Sequence, residues 1–136
     1  MEQARQHLMA HGIRPSVQRV VIMDYLMKHH THPTADTIFT DLQPQLPTLS
    51  RTTVYNTLQL LESCHAVQAL TIDSHTVHYD GVQEPHGHFM CRHCGRIEDI
   101  TLDGSPLHHV ALPAGYTAEH VQLNCTGVCA SCQTKT

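Results

Sequence analysis

Apolar and polar residues along the first half of the chain follow the spacing of helices. Residues 15–30 are apolar on almost every face, which predicts a central core helix. Pro15 is expected in the first turn of this helix, where no amide donor is needed. A second, amphipathic helix is predicted between Pro33 and Pro44 by four apolar residues at i, i+3, i+4 and i+7, which are Ala35, Ile38, Phe39 and Leu42.

The segment LSRTTVYNTLQLLESCH, residues 49–65, predicts a third helix with two unlike faces. Ser50 is suited to its N-cap, because a serine oxygen can accept a bond from an amide of the first turn. The apolar face carries Val54, Leu58 and Leu61, and the polar, uncharged face carries Thr52, Tyr55, Asn56 and Gln59. Two short alternating strands are predicted next, at 66–70 and 75–80. Three helices followed by a hairpin is the order of a winged helix.

The second half of the chain predicts a small mixed domain. GVQEPHG, residues 81–87, contains two glycines and a proline, and we interpret it as a hinge between domains at 1–80 and 88–136. Strands are predicted at HFMC, RIEDI and GYTAEHVQLNCTG, and residues 102–115 have room for one short helix limited by Pro106 and Pro113. The predicted fold class is therefore α+β, with a helical first domain and a small α/β second domain.

The charge of the chain bears on whether it can bind nucleic acid. The formal net charge is −4 with histidine neutral, and residues 1–79 carry five basic and six acidic groups. Nucleic-acid binding would therefore have to depend on a few placed groups rather than on overall charge. The sequence has no long apolar run and no signal-peptide pattern, so a cytoplasmic location with reduced cysteines is expected.

Two CxxC pairs, CRHC at 91–94 and CASC at 129–132, are separated by 34 residues. Four thiolates match tetrahedral structural zinc, which would brace a domain of about fifty residues, near the size at which metals are usually needed. A redox dithiol is the alternative, and two pairs make it less favoured than one pair would. Cys64 and Cys125 fall outside the pattern and are expected to be buried core thiols, although Cys125 is close enough to Cys129 for disulfide chemistry.

The chain has fourteen histidines, distributed over both halves. In a strand, residues two apart share a face, so His86 and His88 should point away from Cys91. This placement predicts a second site of nitrogen and oxygen ligands, with a solvated strand face as the alternative. The carboxylates nearby in sequence are Asp80, Glu84, Glu98 and Asp99, and His78 shares a strand face with Asp80.

The pattern alone leaves the remaining histidines as surface residues. These include His29, His30, His32, His108 and His109.

Five segments in order resemble the ferric uptake regulator (Fur) family of metal-dependent bacterial repressors. They lie between about residues 10 and 132, and they are GIRPSVQR, HPTADTIF, TTVYNTL, HGHFMCRHCGRIEDI and GVCASC. The resemblance implies a winged-helix DNA-binding domain joined by a hinge to a small α/β dimerisation domain with a four-cysteine zinc site.

The resemblance also implies two metal sites. Structural Zn(II) would bind Cys91, Cys94, Cys129 and Cys132. A regulatory Fe(II) or Mn(II) would bind His32, Asp80, His86, His88 and Asp99. The resemblance thus selects Asp80 over His78 and Asp99 over Glu98. It leaves His93 in neither site. Because these five ligands come from both predicted domains, the regulatory metal would hold the two domains in one relative orientation.

The implied DNA complex is a homodimer on palindromic double-stranded DNA, because paired recognition helices must enter major grooves about 34 Å apart or a multiple of that distance. Base contacts are expected from Thr52, Tyr55 and Asn56. Phosphate contacts are expected from Arg14, Arg19, Ser50, Arg51 and Thr53. The alternative for Arg19 is a structural salt bridge. The alternative for Tyr55 is a side chain that is half buried in the core.

Three features resemble the peroxide-responsive branch of the family. Asp99 stands where iron sensors usually carry Glu, and Asn56 stands where many of them carry Arg. The positions of a further His/carboxylate site in iron sensors are occupied here by Pro85, Gly87, Pro106 and Val121. In that branch, bound Fe(II) lets hydrogen peroxide oxidise a ligand histidine, His32 or His86 on the family pattern, after which the metal leaves and repression ends.

Other classes fit the sequence less well. A zinc deaminase needs HxE and a metalloprotease needs HExxH, and neither occurs in the sequence, so no enzyme is expected. An iron- or manganese-responsive repressor without peroxide sensing is the nearest alternative. A zinc-stabilised adaptor would explain the cysteines but not the ordered histidine and aspartate set.

Overall fold

The computed structural model describes residues 1–81, 84, 86–104 and 106–133. The chain divides into two compact units, residues 1–83 and 84–136. The predicted hinge at 81–87 includes Val82, Gln83 and Pro85, which lie outside the described residues, so the hinge stays a prediction. No helix in the described part of the chain is long and apolar enough to cross a membrane.

The first unit begins with four helices, α1 (Glu2–Ala10), α2 (Val17–Lys28), α3 (Ala35–Leu42) and α4 (Arg51–Ser63). Helices α2, α3 and α4 each start at a residue whose side-chain oxygen accepts a backbone amide bond of the first turn, and these residues are Ser16, Thr34 and Ser50. The predicted N-cap role of Ser50 is confirmed.

Helix α2 begins later than predicted. Ser16 has an extended backbone (φ −139°, ψ 165°) and its oxygen accepts from the Arg19 amide, so the helix starts at Val17. Pro15 therefore precedes the cap, and the prediction that it lies in the first turn was wrong.

The core of the first unit is formed by the predicted apolar faces. Helix α2 buries residues on several faces, in agreement with a central position. Helix α3 buries Ala35, Ile38 and Leu42, with Phe39 partly buried. In α4 the apolar face is fully buried, whereas Thr52, Tyr55, Asn56 and Gln59 on the other face are exposed.

Two strands complete the first unit as an antiparallel pair, β1 (Gln68–Leu70) and β2 (His78–Asp80). Both strands start later than predicted, at Gln68 and at His78. For β1 the reason is that the amides of Ala66 and Val67 still bond to the Leu61 carbonyl at the end of α4. The other edge of β2 contacts the segment before α3, where the Tyr79 amide donates to the Pro33 carbonyl at 2.9 Å. The helices and this hairpin form the predicted winged helix.

The second unit is a three-stranded sheet in the order β4-β3-β5. Strand β3 (His86–Cys91) pairs antiparallel with β4 (Ile97–Thr101) and parallel with β5 (Asn124–Gly127). A 3-10 helix at Pro106–His109 and the short helix α5 (Ala130–Gln133) complete it. The predicted strand at 115–127 is limited to its last four residues, because β5 pairs only with His88–Cys91.

The two cysteines outside the CxxC pairs have different environments. Cys64 is partly buried against the core of the first unit, as expected for a core thiol. Cys125 lies on the edge strand β5 and is exposed, so the prediction that it is a buried thiol was wrong.

Candidate metal centres

The four cysteines of the CxxC pairs come together within the second unit. Their Sγ atoms all lie within 4.8 Å of one another. Cys91 ends β3 and Cys94 closes the following turn, in which the Gly95 amide donates to the Cys91 carbonyl at 2.9 Å. Gly95 has φ +74°, a backbone conformation that glycine adopts without steric cost. The second pair flanks the start of α5 and follows β5, so the parallel pairing of β5 with β3 brings it to the first pair.

The local environment shifts the pKa values of Cys91 and Cys132 in opposite directions. The backbone amide of Cys129, 3.4 Å from the Cys91 sulfur, is the main cause that lowers the pKa of Cys91 to about 5. The neighbouring Cys129 thiol and burial raise the pKa of Cys132 to about 12. Four thiolates at this separation therefore need a cation to offset their mutual repulsion. The composition, closeness and burial of this group fit structural Zn(II), which is held by four thiolates in a closed tetrahedral shell.

His32 and Asp80 form a buried pair within the first unit. They are 5% and 3% exposed, and the Nε2 atom of His32 lies 3.5 Å from Oδ2 of Asp80. Asp80 ends β2, and His32 precedes the Pro33 carbonyl that bonds to the same strand. The prediction from the pattern alone that His32 lies on the surface was wrong, because the residue is buried. The role as a metal ligand that the Fur resemblance implies stays a prediction.

His86, His88 and Asp99 form a second group, within the sheet of the second unit. The Nε2 atoms of both histidines lie 3.5 Å from Oδ1 of Asp99, and the ring centroids are 4.6 Å apart. The β3–β4 register pairs His88 with Asp99, which explains the closeness. The Nδ1 atom of His86 is 2.7 Å from the Glu84 carbonyl oxygen, which can only accept, so Nδ1 donates in this bond and Nε2 is the ring nitrogen directed toward Asp99.

The alternative ligands are engaged elsewhere. Glu98 alternates with Asp99 along β4 and its carboxylate contacts Nε of Arg96 at 3.0 Å. Both ring nitrogens of His78 have partners in the first unit, the His32 carbonyl and the Asp73 carboxylate. The two groups thus consist of His32 with Asp80 and of His86 and His88 with Asp99. Each group offers nitrogen and oxygen ligands, the types that suit Fe(II), Mn(II) or Zn(II).

The predicted DNA contacts divide into two sets on the first unit. Arg14, Arg19, Thr53 and Asn56 line one open cleft of about 440 Å³. Thr52 and Tyr55 are exposed on the same helix α4, and Tyr55, at 47% exposed, is not a core residue. Arg19 donates from Nη1 to the Arg14 backbone carbonyl at 2.9 Å, a bond that holds the Arg19 side chain beside Arg14.

Ser50 and Arg51 are less available than predicted. The Ser50 hydroxyl accepts the Thr53 amide at the start of α4. The Arg51 guanidinium pairs with the Asp36 carboxylate and lies 4.7 Å from the centre of the Phe39 ring. Part of the positive charge expected for phosphate is therefore offset within the protein.

The family model of the ferric uptake regulator family matches residues 10–126. The chain belongs to this family. Its position in the Fur family agrees with the fold, since a winged-helix unit is followed by a small mixed unit that contains a four-cysteine group.

Named relatives and a solved structure extend the comparison with the Fur family. The chain is 33% identical over 139 residues to the peroxide-responsive repressor PerR of Staphylococcus aureus, covering 99% of this chain and 93% of that protein. It is 33% identical over 137 residues to the peroxide operon regulator of Bacillus subtilis, covering 99% and 94%. The Helicobacter pylori ferric uptake regulator Fur, whose structure is reported to reveal three functional metal binding sites, is similar with a TM-score of 0.74. That match covers 97% of this chain and 90% of that chain at 22% identity, which shows the shared fold.

Asp73 is a residue near the site that the sequence reasoning missed. Its Oδ1 atom accepts the His75 amide at 2.9 Å, an Asx turn that an aspartate in a polar loop could have suggested. Its other oxygen contacts His78, and the backbone bond from His75 is the main cause that lowers the pKa of Asp73.

Proposed function

We propose that this protein is a metal-dependent, sequence-specific transcriptional repressor that senses hydrogen peroxide through oxidation of a ligand histidine. The observation that carries the proposal is the grouping of His32 with Asp80 in one unit and of His86 and His88 with Asp99 in the other. The two relatives named for peroxide response, each about as long as this chain, support the choice of branch.

In this proposal one Fe(II) or Mn(II) ion takes ligands from both groups. A bound ion that needs all five side chains would favour the relative orientation of the units in which every ligand reaches it. Without the ion that orientation would be one among several, and the DNA-competent fraction would fall with its population. The structural Zn(II) would stabilise the second unit and take no part in the switch.

The proposed DNA complex uses α4 of each subunit of a homodimer in the cytoplasm. Thr52, Tyr55 and Asn56 would contact base edges, and Arg14, Arg19 and Thr53 would contact phosphates beside them. Because the two subunits are related by symmetry, the operator would be a palindrome in double-stranded DNA. The protein would act as a regulator, not as an enzyme.

Peroxide sensing in this proposal consumes a ligand. Bound Fe(II) supplies the redox chemistry that activates peroxide, which redox-inert Zn(II) does not. One oxygen atom of hydrogen peroxide is transferred to an imidazole carbon of His32 or His86 and the other leaves as water, so the ring gives up two electrons and peroxide accepts them. His86 is held for this role by the bond from its Nδ1 to the Glu84 carbonyl, and an altered ring would no longer match the ligand set.

The test is mass spectrometry of the Fe(II)-loaded protein, kept anaerobic and then exposed to stoichiometric peroxide. We expect one added oxygen atom on a peptide that carries His32 or His86, together with loss of binding to a duplex operator selected from a random pool in the presence of Mn(II). The Mn(II)-loaded protein should keep both its mass and its DNA binding, because manganese is far less reactive toward peroxide.

His93 supplies an internal control for this experiment. It is exposed and belongs to neither group, so indiscriminate oxidation would mark its peptide as strongly as the others. Intact His32 and His86 with DNA binding that still responds to Fe(II) would refute peroxide sensing and indicate a plain iron- or manganese-responsive repressor. DNA binding that ignores added metal altogether would refute the whole proposal.

A further inference from the structure

His78 connects two parts of the first unit through its two ring nitrogens. Its Nδ1 atom lies 2.7 Å from the carbonyl oxygen of His32, and its Nε2 atom lies 3.0 Å from Oδ2 of Asp73. A carbonyl oxygen can only accept, so Nδ1 donates the proton of that bond. The side chains of His78 and Asp73 are 16% and 25% exposed, and this shielding from water strengthens both contacts.

The backbone of His32 has a conformation that needs such support. Its φ is +57°, in the left-handed region that residues with a side chain rarely adopt. Strand β2 holds the segment around His32 at three consecutive residues, 32–34. The His78 side chain bonds to the His32 carbonyl, the Tyr79 amide bonds to the Pro33 carbonyl at 2.9 Å, and Thr34 pairs with His78 through the backbone.

Asp73 is itself fixed in the turn between β1 and β2. Its Oδ1 atom accepts the His75 amide at 2.9 Å, so the carboxylate has a defined direction when its other oxygen meets His78. The contacts therefore form a continuous chain from the turn at 71–77, through the His78 ring, to the backbone of His32. At the end of that chain the His32 ring faces the Asp80 carboxylate.

We infer that His78 is a positioning residue for the regulatory metal site, which holds His32 in its strained conformation through the Asp73–His78–His32 contacts before the metal arrives. The inference depends on the proposed function, in which His32 is a ligand. A ligand already in place loses less conformational freedom on binding, so the metal binds more tightly. Residues that orient ligands of this kind typically change metal affinity by about 10- to 100-fold when they are replaced.

Two substitutions at one position separate the contacts of His78. His78→Asn keeps a donor amide near the place of Nδ1 and loses the reach to Asp73. His78→Gln keeps a donor near the place of Nε2 and loses the bond to the His32 carbonyl. His75→Gln replaces an exposed histidine of the same turn and serves as the matched control.

The measurement is Mn(II) affinity of the full-length, zinc-loaded protein, followed by the electron paramagnetic resonance signal of unbound Mn(II). We expect His78→Gln to weaken Mn(II) binding by about tenfold. The Asn variant should stay closer to wild type than the Gln variant, and the His75→Gln control should match wild type. If His78 had only a general structural role, the Asn and Gln variants would lose Mn(II) affinity to the same extent, because both lack the imidazole ring. Equal affinities of these two variants, or a wild-type affinity in His78→Gln, would overturn the inference.

A second measurement does not depend on the stability of the variants. Nitrogen-15 NMR of the metal-free wild-type protein reports which ring nitrogen of His78 carries a proton, and we expect a protonated, hydrogen-bonded Nδ1. An Nδ1 without a proton would also overturn the inference. Failure of the proposed function has a different signature, namely Mn(II) binding that is unchanged by His32→Ala and by Asp80→Asn.

Discussion

The two units of the chain differ in what fills their interiors. In the first unit, eighteen buried apolar residues from all four helices and the hairpin form one cluster. In the described part of the second unit, the buried cluster consists of Cys91, Cys129 and Cys132, with Phe89 and Val128 packed against them. The second unit also leaves apolar side chains exposed between residues 107 and 123 rather than inside a core.

This difference indicates that the two units are stabilised by different interactions. The first unit buries enough apolar surface to be stabilised by the hydrophobic effect. The second unit has about fifty residues, a size at which a core alone rarely suffices and a structural metal often replaces it. In such domains the free energy of metal binding is largely the free energy of folding. Loss of zinc should therefore unfold one unit and spare the other.

The largest expected effect comes from Cys132→Ser. Cys132 is buried in the cluster, and a serine hydroxyl does not replace a thiolate as a zinc ligand. Apparent binding free energies of structural zinc are about 10–16 kcal/mol, as large as or larger than the whole free energy of unfolding of a typical small domain. We expect the variant to lose its zinc, measured by elemental analysis, and to lose amide hydrogen-exchange protection in β3 and β5 while the helices of the first unit keep theirs.

Cys125→Ser is the control for this variant. Cys125 lies on β5 in the same unit but is exposed and outside the cluster, so zinc content and protection should not change. Protected β3 amides in a zinc-free Cys132→Ser protein would contradict the idea that the metal takes the place of a core.

A smaller effect is expected from Leu58→Ala in the first unit. Leu58 is fully buried in α4, and removal of such a side chain leaves a cavity that costs about 2–5 kcal/mol. Chemical denaturation followed by helical circular dichroism should show this loss. Zinc content should remain that of wild type, because the cysteine cluster belongs to the other unit.

The adjacent Gln59→Ala is the matched control, because Gln59 is exposed on the same helix and its loss should leave the free energy of unfolding nearly unchanged. Should Leu58→Ala release zinc without being denatured, the two units would not be separately stabilised.

The smallest effect is expected from Ser50→Ala at the start of α4. The serine oxygen accepts the Thr53 amide at 3.1 Å, and loss of an N-cap bond typically costs about 1 kcal/mol. Ser50→Asn, which can also cap, should recover most of the unfolding free energy in the same denaturation assay. An equal loss in both variants would show that the cap bond is not the source of the stability.

The cysteine cluster could be predicted from the sequence because its signal is local. Each CxxC pair sets its own spacing, and in the first pair the glycine that follows, Gly95, allows a tight turn. The shared face of His86 and His88 could be predicted for the same reason, since alternation along a strand is a local property. Which carboxylate lies beside His88 could not be predicted from local pattern, because the β3–β4 register, which pairs His88 with Asp99, joins two separate strands.

His32 shows why the rest could not be predicted from local pattern. A histidine between polar residues and a proline has the sequence of a surface loop, yet its burial depends on a left-handed backbone and on contacts with β2, more than forty residues later. Only the family resemblance singled it out. Pro15 and Cys125 were misplaced for a related reason. The cap at Ser16 moved the start of α2 two residues beyond the predicted one, and the edge position of β5 left Cys125 in solvent.

The parallel pairing of β3 with β5 has a consequence for the order of events during protein synthesis. The first unit is complete once residue 83 has left the ribosome, so its helices can fold while the rest of the chain is still being made. Strand β3 must wait for residues 124–127, and the cysteine cluster must wait for Cys132. The thiols of Cys91 and Cys94 are therefore exposed, without their partners, for the time that the ribosome needs to add more than thirty residues. In a cell under oxidative stress, newly made chains would be more easily damaged than finished ones.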